Sequence, residues 1–262
     1  MILGDGTMNS KGKNSYVEKF MKYIPDKGME NINYFLFESI NRNYKKINNS
    51  EVLNALLMPS DCSYEDSDFL LNYSGFNYRH INAVLRGTWN YEKDGDFSKQ
   101  NEYRAVASKL QNIIMSTPTE LTDDIIVYRG VDLKYFKQYG IESLDDLKAL
   151  EGQFMIERGF ISTSLYEESC YFKKENTLGL NYNVKMEYMV PKEFRDGIYL
   201  NAYNSYSPNQ QEFLINSANL SIVNSVVIND DNTAILRLSL IPKELYDEYY
   251  SQIANDRKKG NK

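Results

Sequence analysis

The chain has 262 residues, 42% of them hydrophobic and 25% charged, which allows one large domain or two modest ones with a buried core. Its formal net charge of −6 argues against nucleic acid as a partner, because nucleic-acid-binding surfaces usually carry a basic patch. The only histidine is His80, and the only cysteines are Cys62 and Cys170. These counts exclude a zinc cluster or a disulfide scaffold, and a triad or metal site with histidine would have to include His80. Whether the two cysteines pair stays open.

No apolar run reaches the roughly 18 residues that a membrane-spanning helix needs. Residues 1–14 are rich in Gly, Asn, Ser and Lys and lack an apolar core, so we expect a flexible lead-in and no signal peptide.

The first part of the chain is predicted to be helical, because apolar residues recur at helical spacing in residues 15–57. Further helices are expected at 64–73, 76–86 and 99–115. Beyond Pro118 the apolar period changes toward 2, which predicts strands. The expected strands are 125–129, 154–156, 159–163, 184–190, 198–200, 212–215, 222–228 and 234–240, with a closing helix at 242–254. Helices followed by mostly antiparallel strands indicate an α+β fold.

Three short motifs in the strand region could carry chemistry. Arg129 ends an apolar strand beside Gly130, where its planar guanidinium could bind a phosphate close to the backbone. A solvated strand end or a structural ion pair fits this pattern as well.

The second motif is a run of hydroxyl residues, Ser162, Thr163 and Ser164. On a strand the two serines share one face and the threonine points away. A strand end that caps the following helix explains the run equally well.

The third motif is Gln210-Gln211-Glu212, which leads directly into an apolar run. Gln210 and Glu212 are two apart on a strand edge, so we expect their side chains to lie on one face. A carboxylate at this place is expected to be partly buried and to need partners.

The order of these motifs resembles the Arg-Ser-Glu class of mono-ADP-ribosyltransferase exoenzymes, closest to the clostridial Rho-modifying members with a Gln-x-Glu motif. A fourth stretch is similar to the NAD-facing helix of that family, whose Tyr, Tyr and Asn have the spacing of Tyr73, Tyr78 and Asn82. The resemblance implies N-terminal helices packed on two mostly antiparallel sheets that form an NAD cleft. It places a helical extension at 1–60 and the catalytic domain at 61–262.

The resemblance also implies a role for each motif. Glu212 would stabilise a ribosyl cation, Ser162 would hold Glu212, and Arg129 would bind an NAD phosphate. Gly130 would leave room for the nicotinamide. The other residues expected to bind NAD are Tyr73, Tyr78, Asn82, Thr163, Ser164, Phe172 (or Tyr171) and Lys174 (or Lys173).

Gln210 and Tyr206 are expected to recognise the acceptor, because Gln-x-Glu resembles members that modify a side-chain amide rather than arginine. The resemblance thus implies NAD as co-substrate, no metal, and transfer to Asn or Gln of a host protein such as a Rho-type GTPase. It also implies secretion or delivery into a host cell, with a carrier component as a further partner. Two alternatives stay open, an NAD glycohydrolase and a non-catalytic NAD-binding or docking module.

Overall fold

The structure is a computed structural model that describes residues 21–22, 24–58, 63–73, 77–173, 181–200 and 211–246. The start of the first expected helix and residues 247–254 of the last one lie outside these ranges, as do Cys62, Lys174, Tyr206 and Gln210.

Five α-helices lie within the described residues: α1 (Asp26–Ile40), α2 (Ser50–Leu56), α3 (Tyr64–Asn72), α4 (Tyr78–Arg86) and α5 (Phe97–Ser116). Side-chain caps define the start of two of them, since Ser63 accepts a hydrogen bond from the Asp66 amide and Asp96 accepts one from the Lys99 amide. Helix α4 ends at Gly87, whose φ of 72° lies in the left-handed region that favours glycine.

The strands are β1 (Lys45–Lys46), β2 (Leu57–Met58), β3 (Glu120–Leu121), β4 (Ile125–Val131), β5 (Phe154–Glu157), β6 (Ile161–Ser164), β7 (Val184–Val190), β8 (Gly197–Tyr199), β9 (Glu212–Ile215), β10 (Asn219–Asn229) and β11 (Thr233–Leu240). Nine of the described strands form one sheet, in the order β5-β10-β11-β7-β4-β6-β9-β8 with β1 beside β4, and β2 pairs with β3. The pairs β1–β4 and β11–β7 are parallel, and the others are antiparallel. The α+β class is confirmed.

One residue pair connects two halves of the large sheet. Among the described residues, β4 and β6 pair only at Tyr128 and Ser164. The Arg129 half consists of β5, β10, β11, β7, β4 and β1, and the Glu212 half consists of β6, β9 and β8. The two sheets expected from the sequence are therefore two parts of one continuous sheet, and the candidate residues lie close to its narrow junction.

Two hydrophobic cores hold the helices on the sheet. The larger core includes Ile32 and Leu36 of α1 together with apolar side chains of the Arg129 half and of β6 and β9, so α1 packs with the same core as the strands. The smaller core joins Ile81 of α4 and Leu110 of α5 to Leu214 of β9. This second core places α4 over the Glu212 half.

The helical prediction for residues 15–57 is wrong at Leu57, which begins β2, and at Lys45–Lys46, which form β1. These two residues pair with Ile125 and Ile126 of β4, so contact with a distant strand overrides the local pattern. The sequence also gave no sign of the 3-10 helices Leu133–Tyr139 and Asp145–Leu150, which lie between β4 and β5.

Candidate active site

Glu212 begins β9, and its buried carboxyl group contacts the hydroxyl of Ser162. Ser162 Oγ donates a hydrogen bond to Glu212 Oε1 at 2.5 Å. In the β6–β9 ladder Glu212 lies opposite Ser164, so Ser162 is the diagonal neighbour on the same face and its side chain can reach the carboxyl group. The Leu200 amide donates to the Glu212 carbonyl at 2.9 Å, which fixes the main chain at the start of the strand.

The carboxyl group of Glu212 changes charge near neutral pH. Burial raises its pKa to about 7, while the hydrogen bond from Ser162 and the positive charge of Arg129 lower it. Only 5% of the residue is exposed. A buried carboxyl group with specific partners and a shifted pKa is a candidate functional group.

Arg129 lies on β4, next to the junction of the two halves. Its guanidinium carbon is 5.7 Å from the centre of the Tyr135 ring. Its Nη1 atom is buried and has no hydrogen-bond partner within the described ranges. A buried donor without an acceptor is unfavourable, and a phosphate oxygen would satisfy it with a strong charge-assisted bond. The residue therefore fits a phosphate group such as those of NAD.

Gly130 allows another segment to cross β4. A Cβ atom at this position would lie 2.5 Å from the Phe172 amide nitrogen and 2.7 Å from the Tyr171 carbonyl carbon. The segment after β6 therefore passes directly over Gly130, and only glycine leaves it room. The space expected for nicotinamide at Gly130 is occupied in part by this segment.

Two neighbouring aromatic residues in this segment have different surroundings. The ring of Phe172 lies 5.4 Å from the Lys173 ammonium and 5.6 Å from that of Lys185. Tyr171 is 47% exposed, and its pKa is raised first by burial and then by nearby groups that include Tyr78 and Glu212. The charge of Glu212 therefore acts on Tyr171, one of the two aromatic residues expected in this segment.

The basic residues of this segment are only partly described. Lys173 has a φ of 59°, and its ammonium binds Asp231 Oδ2 at 2.6 Å. That ion pair directs Lys173 toward the β10–β11 turn. Lys174, the residue expected to bind a phosphate, lies outside the described residues.

The residues of the expected NAD-facing helix divide into internal and exposed ones. Asn82 Oδ1 accepts a hydrogen bond from the Phe160 amide at 2.8 Å, and Asn82 Nδ2 donates to the Tyr73 hydroxyl at 3.3 Å. Tyr73 is buried edge-on against the Phe160 ring. A side chain at Gly159 would clash with Asn82, at 2.7 Å from Oδ1. Tyr78 is 46% exposed in the first turn of α4.

Two of the three hydroxyl residues are used inside the protein. The Thr163 hydroxyl donates to the Phe213 carbonyl at 2.6 Å, and the Ser164 hydroxyl donates to the Tyr166 carbonyl at 2.8 Å. Both residues are buried, whereas Ser162 is exposed. For Thr163 and Ser164 this geometry favours a structural role over the expected contact with NAD.

Gln211 changes the chain direction just before Glu212. Its φ of 46° lies in the left-handed region, which is uncommon for a residue with a side chain. The Tyr199 hydroxyl donates to its side-chain oxygen, and the Leu165 amide donates to its carbonyl at 2.9 Å. The strand therefore begins at Glu212, and the alternation expected to relate Gln210 to Glu212 does not extend through Gln211.

A buried carboxylate that the sequence did not reveal lies at the end of β5. Glu157 accepts hydrogen bonds from Arg86 Nε at 2.9 Å, Arg86 Nη2 at 3.2 Å, the Tyr135 hydroxyl at 2.7 Å and the Gly159 amide at 2.8 Å. Burial opposes its charge, but the guanidinium of Arg86 brings its pKa below the ordinary value. Because Arg129 lies over the Tyr135 ring, this network reaches the phosphate-binding candidate. The signal in the sequence was a carboxylate at the end of an apolar strand.

The remaining candidates lie apart from these groups. The His80 ring stacks on Tyr103 at 5.1 Å, and its Nδ1 atom is 3.4 Å from Asp94. In the described part of the chain, no three His, Cys, Asp or Glu residues are grouped so that they could hold a metal ion.

The helices that the structure describes are too short or too polar to cross a bilayer.

These groups define a class of site. An unsatisfied arginine nitrogen suits a phosphate-containing substrate, and a buried carboxyl group oriented by a serine suits a reaction in which positive charge develops. The sequence model of the ADP-ribosyltransferase exoenzyme family matches residues 37–241, and the chain belongs to this family. It is therefore an NAD-dependent ADP-ribosyltransferase of the exoenzyme toxin type. NAD is the co-substrate of the family, whose toxins act on host proteins after secretion or delivery into host cells.

Solved structures with a similar fold include an exoenzyme and an ADP-ribosyltransferase toxin. The Clostridium limosum C3 exoenzyme has a TM-score of 0.57 at 16% identity, covering 76% of this chain and 98% of that one. C3stau2 from S. aureus, solved with NAD, has a TM-score of 0.56 at 18% identity, covering 77% and 100%. Plx2a, an ADP-ribosyltransferase toxin from Paenibacillus larvae, has a TM-score of 0.52 at 22% identity, covering 69% and 87%. At these identities the similarity concerns the fold. A search of curated proteins gives no match.

Proposed function

We propose that this protein cleaves the bond between nicotinamide and ribose in NAD and transfers the ADP-ribose to a side-chain amide of a host protein. The observation that carries the proposal is the hydrogen bond from Ser162 to the buried carboxyl group of Glu212. The charge of Arg129 acts on the same carboxyl group, and its Nη1 atom lacks a partner among the described residues. Together they place an anionic group and a hydrogen-bond donor for a phosphate at the junction of the two halves of the sheet.

The chemistry requires stabilisation of positive charge. The electrons of the breaking bond leave with nicotinamide, which departs as a neutral molecule, and the ribose carbon becomes electron-deficient. The ionised carboxylate of Glu212 stabilises this cation, as carboxylates do in glycoside hydrolysis. Ser162 orients the carboxylate and favours its charged form. The acceptor nitrogen then bonds to the same carbon and loses a proton.

Binding of NAD is assigned to the residues around this pair. Arg129 binds a phosphate, Tyr171 supplies exposed aromatic surface near Glu212 with Tyr78 beside it, and Asn82 with Tyr73 holds α4 in place. Phe172 belongs to the segment that crosses β4 at Gly130. Lys174 follows this segment in the sequence.

The acceptor is assigned from the Gln-x-Glu motif. The side-chain amide of Gln210 can pair with an acceptor amide through its own donor and acceptor. We assign Gln210 and Tyr206 to acceptor recognition. The target that we assign is an Asn or Gln side chain of a Rho-type GTPase. Residues 1–60 are assigned as a helical extension whose described part packs with the catalytic part through α1 and β1.

Two substitutions test this assignment. Glu212→Gln removes the negative charge, so nicotinamide release and protein labelling should both fall about 100-fold or more. Gln210→Ala should abolish transfer and leave NAD hydrolysis intact. Nicotinamide release is measured with purified protein, and transfer is measured with labelled NAD in host lysate followed by mass-spectrometric mapping of the modified residue.

The same assays separate the alternatives. An equal loss of both activities in Gln210→Ala would remove Gln210 from acceptor recognition. Nicotinamide release that no added protein accelerates, with no protein labelled, would identify water as the acceptor. NAD binding without turnover would identify a non-catalytic module.

A further inference from the structure

Lys185 on β7 carries a buried positive charge outside the contact between Ser162 and Glu212. The residue is 5% exposed. Its ammonium donates to the Glu167 carboxylate and lies 2.9 Å from Glu187 Oε1. The rings of Tyr128 and Phe172 are centred 5.9 Å and 5.6 Å from the same ammonium. Two carboxylates and two aromatic rings therefore surround Lys185.

The surroundings keep Lys185 charged. Burial alone would lower its pKa, but the hydrogen bonds to Glu167 and Glu187 raise the pKa above the ordinary value. Moving ions out of water is unfavourable, and apolar residues of similar volume are often at least as stabilising as a buried ion pair. A role in fixing geometry explains such a cluster better than a contribution to stability does.

The partners of Lys185 show which geometry is fixed. Glu167 and Phe172 are the first and last residues of a six-residue segment, 167–172, that follows β6. In the β4–β7 ladder Lys185 lies opposite Gly130, the position at which a Cβ atom would strike the backbone of this segment. The missing side chain of Gly130 leaves room for segment 167–172 on β4, and the cation of Lys185 holds it there.

Segment 167–172 forms part of the surroundings of the candidate site. It passes over Gly130, the neighbour of Arg129 on β4, and carries Tyr171, whose pKa is raised in part by the charge of Glu212. We propose that Lys185 is a positioning residue that binds Glu167 and Phe172, holds segment 167–172 against β4 and thereby sets the affinity for NAD. Lys185 does not contact the reacting atoms. The link to NAD rests on the proposed function, whereas the anchoring of the segment does not.

Three variants test the anchor by steady-state kinetics of nicotinamide release. Lys185→Met removes the cation, and Glu167→Gln removes one partner at a side chain that is 41% exposed, where folding is less at risk. Lys46→Met is the matched control, because Lys46 binds the other oxygen of Glu167 at 3.3 Å through a side chain that is 60% exposed. Lys185→Met and Glu167→Gln should raise KM for NAD about tenfold with kcat changed less than about twofold. Lys46→Met should change neither by more than about twofold, since exposed ion pairs contribute little.

A second readout follows the segment directly. Cys170 lies within it and is 5% exposed. After reduction of the protein, alkylation by iodoacetamide is timed and Cys170 is distinguished from Cys62 by mass spectrometry. Release of the segment should make alkylation of Cys170 about tenfold faster in Lys185→Met and Glu167→Gln, well below the temperature of thermal unfolding.

The outcomes separate the anchor from the proposed function. Wild-type KM or wild-type alkylation of Cys170 in the Glu167→Gln variant overturns the anchor. A parallel fall in kcat and thermal stability, without selective exposure of Cys170, also overturns it. If the wild-type protein releases no nicotinamide, the proposed function fails while the alkylation experiment still tests the anchor.

Discussion

At the scale of single residues, Glu212 and Glu157 are buried to a similar extent, yet their pKa values shift in opposite directions. Glu212 is 5% exposed and Glu157 is 6% exposed. Glu157 binds the charged guanidinium of Arg86, which outweighs the effect of burial. Glu212 accepts a bond from the neutral hydroxyl of Ser162, and burial prevails despite the charge of Arg129. The charge of the bonded donor thus decides which carboxyl group is ionised well below neutral pH.

The hydrogen bond from Ser162 to Glu212 should affect how the rate of nicotinamide release depends on pH. Because this bond lowers the pKa of Glu212, Ser162→Ala should raise it above the present value of about 7. The proposed reaction needs the ionised carboxylate, so activity is lost as pH falls through this pKa. The midpoint of kcat/KM for nicotinamide release should move upward by about 1 pH unit in Ser162→Ala. An unchanged midpoint would contradict the assigned contact between the two side chains.

At the scale of elements, Asn82 joins α4 to the start of β6. Asn82→Ala leaves the buried Phe160 amide without its acceptor, which should lower the free energy of unfolding by about 1–3 kcal/mol. The matched substitution is Tyr78→Ala on the same helix, where the side chain is 46% exposed and stability should change little. Urea unfolding measures both. Wild-type stability of Asn82→Ala would show that the residue does not hold these elements together.

The sequence predicted some elements with their observed bounds. β7 and β9 were expected at 184–190 and 212–215, where the structure has them, because β7 alternates apolar and charged residues and β9 continues Glu212 as an apolar run. β1 could not be predicted, since two lysines become a strand only by pairing with β4. The 3-10 helix Leu133–Tyr139 was also missed, because its few residues give too short a pattern to establish a period.

The sequence predicted the candidate site only in part, for a related reason. Arg129, Ser162 and Glu212 each belong to a short local motif and could be found along the chain. Glu157 and Lys185 could not be assigned, because their meaning depends on distant partners. Arg86 lies 71 positions from Glu157, and no local spacing reveals that pair.

At the scale of the whole molecule, the two buried carboxyl groups make stability depend on pH with opposite signs. The folded-state pKa of Glu212 is about 7 against an ordinary 4.5, so the folded protein binds this proton more tightly and stability falls as pH rises from 4.5 to 7. The pKa of Glu157 is lowered, so its contribution is present above the ordinary pKa and is lost as pH falls through the folded-state pKa.

Neutral replacements of these groups should therefore have opposite effects on stability. At pH 8, Glu212→Gln should raise the free energy of unfolding by on the order of 3 kcal/mol, with little change at pH 4. Glu157→Gln should lower it at pH 8, because Arg86 loses its counter-charge. Urea titrations at both pH values measure these differences. Destabilisation of both variants at pH 8 would contradict the assigned charge states.

Main-chain pairing crosses from one half of the large sheet to the other at a single rung, Tyr128 with Ser164, within the part of the chain that the structure describes. Arg129 and Glu212 therefore belong to separate ladders. Substitutions can accumulate in one ladder without shifting the register of its neighbour. Such a seam allows the strand that carries the acid to change while the strand that carries the arginine keeps its pairing.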